Sequence, residues 1–273
     1  MPNLMEMLEA GVHFGHKKER SHPRAKDYIF TLREGIYVID LEKTLSMLED
    51  AVNFLKKEAS LGKTILFLGT KRQAKDIIKN IAEKTNMPYV TKRFLGGTLT
   101  NFETIQKNIT QMENLEAKMK APEFEELTKK EKKIITDKHQ KLFITYDGIR
   151  SMKKMPDVLF VIDAGKEALA IAEANKMEIP VVAITDTDAN PDKISYPIPA
   201  NDDAPKSIDL IMKIIEEAIT PETQSANVKS QSENEKEKTE ENIKTEEVKP
   251  EKPKTKKSKS KKATLRQAQG GSK

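Results

Sequence analysis

Residues 158–184 read VLFVIDAGKEALAIAEANKMEIPVVAI, and this stretch decides the fold class. Five uninterrupted apolar residues, mostly β-branched, are followed by an acidic turn. A segment with apolar positions at Leu169, Ala172 and Met177 comes next, and then a second apolar run from Val181 to Ile184. An uninterrupted run suits a strand covered on both faces, which is the situation of a parallel sheet. Strand, helix and strand in this order make a βαβ unit.

Working outward, similar runs occur at residues 36–39 and 64–68. Helical spacing follows them at Leu45, Leu48, Val52 and Leu55, at Ala74, Ile77, Ile78 and Ile81, and finally at Ile208, Ile211, Ile214 and Ile215. The expectation is an α/β domain over residues 1–221, with four parallel strands and helices on both faces of the sheet.

Residues 102–150 interrupt the alternation. They are highly charged, with Ile105, Ile109, Met112 and Met119 at steps of four, three and seven. Pro122 then suits a first helical position, and Glu123, Glu125 and Glu126 suit a first turn, where the helix dipole favours acids. Phe124, Leu127, Ile134 and Leu142 continue a looser seam. This predicts an inserted, protruding antiparallel coiled-coil hairpin with arms of roughly 25 to 35 Å at 1.5 Å per residue.

Residues 222–273 are dominated by Lys, Glu, Ser, Thr, Gln, Asn and Pro, a composition that buries too little apolar surface to offset its ordering entropy. A disordered tail is expected there, with a basic run at residues 252–262. The tail carries the whole net charge of +5. Residues 1–221 hold 34 basic and 34 acidic side chains, and the rest hold 14 and 9.

Several functions are disfavoured. Without Cys there is no disulfide framework, thiolate metal site or cysteine nucleophile. No apolar run approaches the roughly 20 residues of a membrane span, and Met1 to Glu9 lacks the pattern of an export signal, so a cytoplasmic protein without a membrane partner is expected.

Asp40, Asp163 and Asp186 each follow an apolar run, where an open parallel sheet binds ligands, and with Asp188 they could hold Mg²⁺ or a ribose. They could equally cap helices and turns. No glycine-rich phosphate loop accompanies them, since Gly69-Thr70-Lys71 is only a fragment of one. Asp186, Asp188, Asn190 and Asp192 resemble the opening of a calcium loop, but Pro191 and Pro197 stand where that loop needs a glycine and a bidentate acid, so a structured turn is expected. His13, His16 and His22 could ligate zinc, yet their basic neighbours suit a phosphate-contacting face better.

Binding features are stronger. Lys17, Lys18, Arg20, Arg24, Lys26 and Arg33 crowd one segment, and Lys71, Arg72 and Lys75 are expected to open the helix after the run at 64–68. Residues 92–101 read KRFLGGTLTN. There, Lys92 and Arg93 supply charge, Gly96 and Gly97 allow close backbone approach to an anion, and Thr98, Thr100 or Asn101 could cap the next helix. Residues 155–221, by contrast, hold five basic side chains against thirteen acids. A basic front and an acidic back fit a protein that meets RNA on one side.

Six segments carry a family resemblance: 8–16 (LEAGVHFGH), 35–44 (GIYVIDLEKT), 65–74 (ILFLGTKRQA), 93–102 (RFLGGTLTNF), 152–163 (MKKMPDVLFVID) and 179–204 (IPVVAITDTDANPDKISYPIPANDDA). Together they resemble the bacterial small-subunit ribosomal protein S-two family. The resemblance implies a flavodoxin-like, Rossmann-like sheet with a coiled-coil hairpin, and neither enzyme activity nor a cofactor. It also implies binding to small-subunit ribosomal RNA beside neighbouring ribosomal proteins, with recruitment of the OB-fold protein S-one rather than a small-molecule substrate. Lys71, Arg72, Arg93, Gly96, Gly97, Thr98 and Asn101 fall in its most diagnostic segments. The chain departs from the family at Phe94, where a tryptophan is usual, and around residues 17–27, where the usual aromatic and Asn-Pro-Lys pattern is replaced.

Overall fold

The computed structural model describes residues 1–220. In chain order its elements are α1 (Leu4–Glu9), β1 (Phe14–Lys17), β2 (Ile29–Arg33), β3 (Ile36–Ile39), α2 (Leu41–Ser60), β4 (Ile65–Leu68), α3 (Lys75–Thr85) and β5 (Tyr89–Val90). There follow α4 (Phe102–Lys120), α5 (Glu123–Glu126), α6 (Lys129–Tyr146), β6 (Val158–Ile162), α7 (Ala168–Lys176), β7 (Val181–Thr185) and β8 (Tyr196–Pro199). A last helix, α8, runs over residues 205–220.

Five strands form one parallel sheet in the order β5-β4-β6-β7-β8. Counted along the chain this is the 2-1-3-4-5 order of flavodoxin-type sheets, with its switch point between β4 and β6. The uninterrupted runs divide by residue parity. Ile65, Phe67, Phe160, Ile162, Val182 and Ile184 enter a core shared with α1, α2, α3 and α8, whereas Leu66, Leu68, Leu159, Val161, Val181 and Ala183 enter one shared with α4 and α7. Side chains of a strand alternate between faces, so a sheet covered twice needs apolar residues at every position. Each fully buried Phe or Leu in these cores contributes about 1.5–3 kcal/mol.

The run at 36–39 is a strand, but it lies outside the parallel sheet. β3 pairs antiparallel with β1 and β2 in a separate three-stranded sheet. The deciding signal is the turn before it, where Glu34 (φ 50°) and Gly35 (φ 80°) both take the left-handed conformation of a tight hairpin. A hairpin makes antiparallel neighbours, and β3 is only partly buried while β4, β6 and β7 are buried throughout.

Four strands carry no such run: β1 and β2 of the antiparallel sheet, and β5 and β8 of the parallel one. β5 has only two residues, and β8 contains Pro197 and Pro199. Because β8 is an edge strand bonded only to β7, proline there leaves the shared ladder intact. The structured turn expected before it is present, with the Asn190 side chain accepting from the Asp192 amide.

Residues 102–150 contain two long helices. Asn108 near the start of α4 donates to the Tyr146 hydroxyl at the end of α6 over 3.0 Å, so the helices run antiparallel. Ile105, Ile109 and Met112 are buried as their spacing predicts, while Ile134 is exposed. At Thr128 a reciprocal capping box with Glu131 starts α6. The disordered tail expected over residues 222–273 lies outside the described residues.

Candidate nucleic-acid interface

α7 forms where its pattern predicts, but on a different face. Leu169 is 54% exposed and Ala172 is exposed, while Ala170, Ile171, Glu173 and Ala174 point inward. Glu173, 8% exposed, is the reason. Its Oε1 accepts from the Gly97 amide at 2.6 Å, and its Oε2 accepts from the Leu99 and Thr100 amides at 3.1 and 3.2 Å and from the Thr100 hydroxyl at 3.2 Å. The glycine-rich loop is indeed an anion cradle, and the anion it holds is a carboxylate of the same chain. An acid on a core-facing helix position has no signature in sequence, because it reads as part of a solvated face.

The caps expected from this loop are absent. Thr98 is buried and donates to the Leu95 carbonyl, Thr100 serves Glu173, and Asn101 accepts from the Thr104 hydroxyl without reaching an α4 amide. Phe94 is buried in the second core, so the aromatic at this position packs inside the protein. What the loop turns to solvent is Lys92, Arg93, Gly96, Thr100 and Asn101.

A second cluster occupies the carboxyl edge of the parallel sheet. Lys71 follows β4, Asp163 follows β6, Asp186 and Asp188 follow β7, and Asp202 and Asp203 follow β8. The Lys71 side chain is 17% exposed, and its Nζ lies 2.7 Å from Asp202, 2.6 Å from Asp203 and 3.5 Å from Asp163. Burial opposes its charge, but hydrogen bonds to Asp202 and Asp203 and the charges of Asp202 and Asp163 outweigh it and raise the pKa. Asp202, with a side chain 2% exposed, is pushed up to about 7 by burial and by the charges of Asp163 and Asp186, with Lys71 opposing.

His16, on β1, completes the cluster. Its Nδ1 lies 3.1 Å from Asp186 Oδ1, and its Nε2 lies 3.4 Å from Asp203 and 3.8 Å from Asp188. The Asp186 contact, against the penalty of burial and with the added charges of Asp186, Asp188 and Asp202, raises its pKa to about 9. The His16 amide also donates to the Thr187 hydroxyl at 2.8 Å, and the His22 amide to the Thr187 carbonyl at 2.8 Å. The amino-terminal segment is thereby fastened across the sheet edge.

The carboxylates that suggested a nucleotide or metal site do gather, and the chain's own cations occupy them. Asp40 acts instead as the cap of α2, accepting from the Glu42 and Lys43 amides. The three histidines do not converge: His13 packs tilted against Phe14, His16 joins the aspartates, and His22 accepts from the Arg24 amide. Among the described residues no group of three or more His, Asp or Glu is disposed to hold a metal.

The other basic candidates are placed differently from Lys71. Lys17, Lys18, Arg20, Arg24, Lys26, Arg72, Lys92 and Arg93 are exposed, and Lys75 is half-buried at the first position of α3. Among the described residues only Arg24 of this set forms an ion pair, with Asp192 at 3.1 Å. The structure therefore leaves a chain of unneutralised cations on the amino-terminal segment, before α3 and on the loop after β5.

Comparison with known proteins matches this architecture to a family. The model of Ribosomal protein S2 matches residues 7–222. The chain belongs to the ribosomal protein S2 family. It is 49% identical over 233 residues to small ribosomal subunit protein uS2 of Helicobacter hepaticus, covering 85% of this chain and 88% of that one. The uS2 protein of Wolinella succinogenes is 49% identical over 219 residues (80% and 81%), and that of Corynebacterium diphtheriae 47% over 218 residues (79% and 82%). Membership in the S2 family makes the chain a structural protein of the small ribosomal subunit and not an enzyme. The aspartates at the sheet edge are then explained by the cations they hold.

Proposed function

We propose that this chain binds small-subunit ribosomal RNA through the exposed cations Lys17, Lys18, Arg20, Arg24, Lys26, Arg72, Lys92 and Arg93 and the half-buried Lys75. The observation that carries the reading is that, among the described residues, all of them but Arg24 lack a carboxylate partner: a cation facing solvent gains by displacing counterions from phosphates, whereas one already paired gains less. Lys71 and the amides of the Gly96-Gly97 loop act one step back. Lys71 holds the sheet edge together, and Glu173 fixes the loop that presents Lys92 and Arg93. Gly96, Thr98 and Asn101 set that loop's shape, and none of these groups reads sequence, so the contact positions the protein on the RNA backbone.

The antiparallel pair α4 and α6, about 28 and 27 Å long at 1.5 Å per residue, serves as a coiled-coil strut toward neighbouring components of the subunit. Met5, Phe14 and Phe30 are exposed on α1, β1 and β2, and apolar side chains left to solvent in this part of the chain suit a protein partner such as S-one. The test is assembly of small subunits with the double variant Lys92→Ala, Arg93→Ala. Reduced incorporation with an unchanged fold is expected, and incorporation equal to wild type refutes the contact.

A further inference from the structure

A cleft of about 300 Å³ opens where α3 and β5 meet the end of α6. This is at the small end of the range in which proteins hold small ligands. Its apolar wall is Tyr89, Phe143 and Ile144, and its basic rim is Lys75, Lys79 and Lys92. Phe143 is 40% exposed and Ile144 is also exposed, at the root of the helical pair rather than in its seam. Gly148 adjoins Tyr89: a Cβ there would come within 2.9 Å of the Tyr89 ring and 2.3 Å of its carbonyl oxygen, so only glycine lets Tyr89 approach this turn so closely.

Asp76 and Asp147 also line the cleft. Among the described residues, however, Lys75 and Lys92 have no carboxylate partner, and Lys79 meets only the exposed Glu83 at 3.7 Å.

We propose that this cleft receives one unpaired nucleotide of the RNA, its base against Tyr89 and Phe143 and its phosphates among Lys75, Lys79 and Lys92. The inference rests on the RNA-binding reading above and adds a different kind of contact to it. A duplex keeps its bases stacked inside and offers phosphates only, whereas an aromatic wall beside two lysines without a carboxylate partner and a third paired only with the exposed Glu83 matches a splayed-out base with its attached phosphate. A protein partner would be expected to bring acids to three lysines and would leave the depth of the cleft unexplained.

The test is base modification of assembled small subunits carrying the full chain, with dimethyl sulfate and a soluble carbodiimide reading unpaired bases. Wild type is compared with Phe143→Ala and with the conservative Phe143→Tyr. The expected result is one or two unpaired bases protected by wild type and by Phe143→Tyr. In Phe143→Ala those bases become roughly fivefold or more reactive, as loss of one stacking contact implies, while all other protections stay the same. Identical protections in wild type and Phe143→Ala overturn the cleft proposal and leave the RNA-binding reading standing. Absence of any protection of the RNA by wild type overturns both.

Discussion

Lys71 and Arg93 are both basic, both lie in loops that follow strands, and both fall in segments that resemble one family. In the folded chain they do opposite things. Lys71 sits among three carboxylates whose residues are 92, 131 and 132 positions away, while Arg93 meets no acid among the described residues. The first belongs to the interior electrostatics of the sheet edge, and the second is available to a polyanion. Which cations a protein offers to RNA is decided by acids distant in sequence, and only the fold reveals them.

The sharpest way to break this comparison is to remove each cation in turn. Lys71→Ala leaves Asp202 and Asp163 without their partner in a buried site, and a loss of about 3 kcal/mol of stability is expected in urea unfolding. Arg93→Ala should stay within about 0.5 kcal/mol of wild type. Equal losses would show that the two sites are energetically alike. Glu173→Ala comes next. It strips a carboxylate from four donors, and a loss of about 2 kcal/mol is expected, with faster hydrogen exchange at the Gly97, Leu99 and Thr100 amides. Unchanged exchange at those amides would show that the loop is held by other contacts.

A smaller effect follows from pH. The pKa of His16 is raised from 6.5 to about 9, so its contribution is complete below 6.5 and is lost as pH rises through about 9. Asp202, raised from 3.8 to about 7, acts in the same direction: burial favours its protonated form, and stability falls as pH rises through that value. The unfolding temperature should therefore decline between pH 6.5 and 9, and His16→Gln should flatten the decline. A wild-type profile flat over that interval would contradict the clamp between β1 and the sheet edge.

Much of the fold was legible because its signals are local. Uninterrupted runs at 158–162 and 181–184 report strands covered twice, and the seam of Ile105, Ile109 and Met112 reports a helix face. The errors fall where the deciding interaction is distant, where the element is short, or, at β3, where an adjacent turn overrides the run. β3 has a run like the others, yet the Glu34-Gly35 turn commits it to a hairpin. α7 was assigned the wrong face because Glu173 is buried by a loop more than seventy residues earlier. The site was legible as a set of basic segments and illegible as a division of labour, since nothing local separates Lys71 from Arg72 beside it.

The central claim is that the exposed cations hold RNA and the internally paired ones do not. Its most direct test is a competition in which wild type and the Lys92→Ala, Arg93→Ala variant are mixed in equal amounts and allowed to assemble into small subunits. The composition of the purified subunits is then measured by mass spectrometry. The account predicts subunits depleted of the variant, most strongly at low salt and less so as salt is raised because the variant releases fewer counterions, while the free variant unfolds like wild type. Equal representation of the two proteins at every salt concentration would contradict it.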